Sequence, residues 1–192
     1  MHNAILFSLI IIFLYIFLFL NRNNVIYIET YTGTKYLVTN DDNKDKSAEI
    51  LDNIVKVMFN LKKYLHDNIN KYPNFTPYIE QLNNNLKKNT TIIYETDPNS
   101  KLTSYSVNKG EEIAFCLKSK KTGKLHDINL LIYVALHEMA HIGCPETGHG
   151  DLFKKIFKFF TEVAIEQKIY NKVDYSISPV EYCGMTLSSS IV

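Results

Sequence analysis

The sequence predicts an α+β domain preceded by one N-terminal transmembrane helix. Three observations predict this. The chain opens on an unbroken apolar run. Later stretches carry apolar residues three and four apart. Between them lie short β-rich runs separated by turn residues. The chain has 192 residues, and all 21 basic and 20 acidic side chains fall after residue 20. A net charge of +1 excludes a protein whose main partner is nucleic acid, which needs a surplus of Lys and Arg against phosphate. A hydrophobic content of 46% excludes intrinsic disorder.

The apolar run is Ala4 to Leu20, AILFSLIIIFLYIFLFL. Its length is at the short end of what spans a bilayer. A cleaved signal peptide would want a basic n-region and a small-residue cleavage site. Met1-His2-Asn3 offers no basic residue, and Leu20 runs straight into Asn21. The expectation is therefore an uncleaved anchor over 1–20, a juxtamembrane linker over 21–46 and one folded domain over 47–192. Arg22, just after the run, favours a cytoplasmic domain by the positive-inside rule. The sequons at Asn74 and Asn89 would permit the opposite topology.

Each element has a local reason. Residues 21–46 read as a strand or two followed by the polar stretch DDNKDK. Ser47 is placed to cap a helix to about Asn70, with Leu51, Ile54, Met58, Leu61 and Leu65 as its buried stripe. Thr76-Pro77 opens a short helix to about Lys88. Thr91–Glu95 reads as a strand and Asp97–Ser100 as a turn. Ser104–Val107 and Glu111–Leu117 read as strands joined by the hairpin signal Asn108-Lys109-Gly110. Asp127 caps a helix from Ile128 to about Ile142, apolar nearly all round and so interior, with Gly143 as its C′ residue. A further helix runs from Asp151 to about Lys168, with Phe153, Ile156, Phe157, Phe160 and Ala164 facing inward. The tail from Lys172 reads as irregular. Cys116, Cys144 and Cys183 are too few for a disulfide scaffold and are expected to be reduced and mostly buried.

The interior helix carries His137-Glu138-Met139-Ala140-His141. Residues four apart lie one above the other, so both imidazoles face the same side and can share one Zn²⁺. Glu138 lies about 100° further round, within reach of a water on the metal without ligating it. Such a motif arises by chance in about one chain in a hundred of this composition. Polar groups inside an apolar helix are also costly unless they have partners. A catalytic zinc takes three protein ligands and keeps one open position. His149 is the preferred third ligand, because imidazole suits zinc and the flanking Gly148 and Gly150 allow close approach. Glu146, Asp151 and Glu162 are its rivals.

His137–His141 followed by Gly148-His149-Gly150-Asp151-Leu152-Phe153 resembles the H-E-x-x-H … G-H-G-x-x-F pattern of the SprT/Spartan and WLM zinc metallopeptidases. The Asn108–Glu111 hairpin and the stretch Glu181-Tyr182-Cys183-Gly184-Met185 resemble membrane-anchored, WLM-like proteins of large DNA viruses. The resemblance covers roughly residues 47–185. It implies a zincin-like α+β fold, with His137, His141 and His149 as ligands to one zinc per chain and Glu138 as the base.

The expected activity is hydrolysis of a protein or peptide substrate by a membrane-anchored zinc peptidase. The alternative is a catalytically silent, zinc-stabilised membrane protein that acts as an assembly module; Glu138 argues for the enzyme, since a structural site needs no base. Glu111–Leu117 is the expected substrate strand, adding an extended peptide to an exposed sheet edge. Tyr182 is a candidate oxyanion stabiliser, Met185 a candidate floor of the metal site, and Cys144 a neighbour of it.

Overall fold

The computed structural model describes residues 7, 9–15 and 24–192. Among them no helix is long and apolar enough to cross a membrane. This corrects the expected transmembrane helix and the single-pass localisation. Residues 7 and 9–15 are helical and exposed. The rest of Ala4–Leu20 lies outside the described residues. The fold of the described residues is α+β.

The first elements are an antiparallel hairpin, β1 (Val25–Glu29) and β2 (Lys35–Thr39). The 21–46 stretch expected as linker thus supplies core residues, since Tyr36 and Val38 of β2 are buried. Helix α1 (Lys44–Asp67) follows, and its five predicted stripe residues are fully buried. It begins three residues before Ser47, which lies inside the helix with its hydroxyl buried and unpartnered. Asp52 of α1 accepts hydrogen bonds from Thr32 and Tyr36 and pairs with Lys56 at 2.8 Å, which fastens the hairpin to the helix.

Two short 3₁₀ turns lead to α2 (Thr76–Asn85), with Pro77 in its first turn. A three-stranded sheet comes next: β3 (Ile92–Glu95), β4 (Tyr105–Val107) and β5 (Glu112–Phe115). Its order is β3-β5-β4, with β3 parallel and β4 antiparallel to β5. The expected substrate strand, β5, is therefore central and has no free edge. A parallel partner delivered by a distant crossover is not visible in local sequence pattern. The free edge on this side belongs to β4. Lys118 pairs with Glu95 at 3.0 Å and Asp41 at 2.8 Å, linking β5, β3 and the start of α1.

Helix α3 (Ile128–Gly143) is the centre of the molecule. Its N-cap Asp127 accepts from the Asn129 and Leu130 amides, as predicted. It packs on α1, α2, α4 (Asp151–Glu166) and β4. Gly143 is the last helical residue rather than a left-handed C′ residue, and close packing accounts for a glycine there. A Cβ there would lie 3.1 Å from the Tyr78 carbonyl and 3.2 Å from Phe160. The tail is more ordered than expected. It forms a separate hairpin, β6 (Val180–Tyr182) and β7 (Met185–Leu187), which pairs with no other strand.

A disulfide joins Cys116, just after β5, to Cys183 in the β6–β7 turn, with Cα atoms 6.1 Å apart. This corrects the expectation of three reduced thiols. The two cysteines are 67 residues apart and only the fold brings them together. Cys144 is free and fully buried, as expected.

Candidate metal centre

His137 and His141 lie on the same face of α3, one turn apart. His149 reaches them from the loop between α3 and α4. Gly148, at φ +79°, turns the chain, and Gly150 begins α4 in extended conformation. The three Nε2 atoms form a triangle with every edge 3.1 Å. A tetrahedral zinc ion with bonds of about 2.0–2.1 Å keeps its nitrogen ligands about 3.3 Å apart, close to this spacing. Three converging imidazole nitrogens fit a metal ion, and among the described residues this is the group that could hold one. Glu146, Asp151 and Glu162 are not part of it. Asp151 and Glu162 instead pair with Lys154 and Lys158 on exposed faces of α4.

Phe153 of α4 backs the triad. Its ring stacks on His141 at 4.3 Å and meets His137 and His149 edge-on at 5.0 and 4.8 Å. Burial keeps the His137 and His141 imidazoles neutral, the form that ligates. His137 is pulled down to about 3, chiefly by burial and then by His141 and His149. His141 falls to about 4, by burial and then by His149 and Lys109.

Glu138 is buried beside the triad and lines the same cleft. Burial pushes its carboxyl up to about 8, and a hydrogen bond with Ser106 of β4 opposes that rise. Its Oε2 has no hydrogen-bond partner among the described residues. A buried, unpartnered carboxylate oxygen beside three converging imidazoles is costly in a structural protein and useful in a catalytic one.

The cleft holds about 770 Å³. One wall is α3, with Tyr133, Val134 and the site residues. The other consists of β4, Asn108 and Lys109 of its turn, and Tyr182, Met185 and Leu187 of the last hairpin. Tyr182 is buried, with its hydroxyl bonded to Ser104 Oγ, which also accepts from the Cys116 amide. Its phenol is pushed up, first by burial; the Ser104 bond lowers it and the charge of Glu138 raises it. Met185 lines the cleft with half of its surface exposed.

One residue that the sequence marked only as part of a turn has a larger place. The Lys109 ammonium donates to the carbonyls of Cys144 and Glu146 at 2.6 Å and of His141 at 3.3 Å. Only a cation in a hairpin signal was visible; its target lies more than 30 residues away.

No family model matches the chain. A Wss1 mutant from Saccharomyces cerevisiae, seen in a crystal structure, is similar at a TM-score of 0.36 and 16% identity, over 54% of this chain and 87% of that one. At that level the site is read from its own residues. Three viral proteins are similar in sequence. Protein 136R of Invertebrate iridescent virus 6 is 36% identical over 100 residues, 51% of this chain and 53% of its own. Protein 042R of Invertebrate iridescent virus 3 is 32% identical over 103 residues, 52% and 60% of the two chains. The uncharacterized protein R325 of Acanthamoeba polyphaga mimivirus is 50% identical over 161 residues, which is 84% of this chain and 81% of the relative. At that identity and coverage, the chain belongs to the same viral protein family as R325.

Proposed function

We propose that this protein is a zinc-dependent peptidase with His137, His141 and His149 as the metal ligands and Glu138 as the general base. One observation carries the reading: an unpartnered, buried Glu138 oxygen in a cleft beside three imidazole nitrogens 3.1 Å apart. A bound zinc ion supplies a Lewis acid and brings its water's pKa towards about 7. Glu138 takes the proton of the attacking water and passes it to the leaving amine. A carboxyl held near neutrality suits both transfers. Tyr182, which lines the cleft with its hydroxyl bonded to Ser104, is the candidate donor to developing oxyanion charge. The exposed edge of β4, along the same cleft, suits an extended protein or peptide segment.

Glu138→Gln tests the reading. It keeps size and hydrogen bonding and removes the base. Zinc content of the full-length chain should stay at one per chain, while hydrolysis of a diverse peptide library falls by about 10²–10⁴-fold. Loss of zinc would make Glu138 structural. Unchanged hydrolysis would place the base elsewhere. A wild type that holds zinc and cleaves nothing would favour a non-catalytic zinc protein.

A further inference from the structure

The turn between β4 and β5 carries a residue its backbone does not favour. Asn108 and Lys109 both have positive φ, +46° and +58°, and the Gly110 amide closes the turn on the Val107 carbonyl at 3.0 Å. Gly110 follows at φ +107°, so the loop between the paired Val107 and Glu112 runs through three positive-φ residues, whose middle position favours glycine. Lysine stands there instead. Strain of this kind persists where the side chain has a use. Gly110 explains how close the turn comes, since a Cβ there would lie 3.2 Å from the Ile142 side chain in the last turn of α3.

The Lys109 ammonium caps the C-terminal end of α3, where a cation is favoured, and binds the first residues of the loop to His149. That loop, 144–150, has no regular structure of its own. His141 lies at one end of the bonded stretch and His149 three residues past the other. We propose that Lys109 is a positioning residue for the metal centre, fixing the α3–α4 loop so that His149 meets His137 and His141. This rests on the metal reading of the triad. Lys109 contacts backbone oxygens and takes no part in ligation or proton transfer.

The test uses Lys109→Gly, Lys109→Gln and Lys109→Arg in the full-length chain. Glycine suits the turn and removes the ammonium; glutamine keeps most of the stem without the charge; arginine keeps a cation that can reach the same carbonyls. Zinc affinity is read by competition with a chromophoric chelator, and ligand geometry by the visible absorption of the Co²⁺-loaded protein. The Gly and Gln variants should bind zinc about 10–100-fold more weakly and show an altered Co²⁺ spectrum, with arginine recovering most of both. Wild-type affinity and spectrum in the Gln variant would overturn the proposal, even if the Gly variant misfolded. An arginine variant as weak as the glutamine one would overturn it too. A wild type that holds no zinc would instead overturn the metal reading itself, and the role of Lys109 with it.

Discussion

The two walls of the cleft are built by different rules. The α3 wall carries its own geometry: His137, Glu138 and His141 are set by helical periodicity, and the helix is packed against three others. The facing wall has almost none of its own. It combines an edge strand, a left-handed turn and an isolated hairpin, held together by one disulfide, the Tyr182–Ser104 bond and the Cys183 amide donating to His126 at 3.1 Å. Helical periodicity thus sets three of the site residues, while Lys109, Tyr182 and Met185 reach the same cleft through long-range contacts.

The sharpest way to break this contrast is to strike the helical wall. His137→Ala or His141→Ala should abolish zinc binding, since two ligands rarely retain the ion against a chelator. Metal analysis showing one zinc per chain in either variant would refute the assignment. The next blow falls on the assembled wall. Cys183→Ser removes a bridge between residues 67 apart and should lower unfolding free energy by about 4 kcal/mol in denaturant titrations, with zinc content unchanged. Loss of zinc along with stability would show that the walls are not independent.

A smaller effect separates groups within the helical wall. His137 and His141 bind protons more weakly folded than unfolded, so the stability they give the metal-free chain is complete above pH about 6.5. It is lost as pH falls through about 4 and about 3. Glu138 runs the other way: its contribution is complete below pH about 4.5 and lost as pH rises through about 8. Melting of the metal-free Glu138→Gln variant should therefore decline less than wild type between pH 6 and 9. Parallel curves would put the carboxyl's titration elsewhere.

The same division explains what could be read from sequence. Periodic and local features were legible: the stripe of α1, the Asp127 cap, the histidines four apart and the glycine-flanked His149. Features made by distant residues were not. Ser47 looks like a cap, but α1 begins three residues earlier, at Lys44, and Ser47 is buried within it. Strand β5 looks like an edge until β3 pairs parallel to it. Cys116 and Cys183 have no spacing that announces a bond, and Lys109 in a turn signal says nothing of carbonyls at the end of α3. The apolar run at the start has the composition of a membrane span, yet among the described residues no helix is long and apolar enough to cross a membrane.

The bridge between Cys116 and Cys183 also has a topological meaning. It closes a covalent ring that contains α3, α4 and the loop between them, so His137, Glu138, His141 and His149 all lie inside it. Tension drawn along the backbone crosses at the sulfurs and bypasses the histidines. A break within 144–148 would leave both halves attached. The β1–β2 hairpin and α1 on one side and β7 on the other lie outside the ring, so under load they can be stripped while the triad stays enclosed.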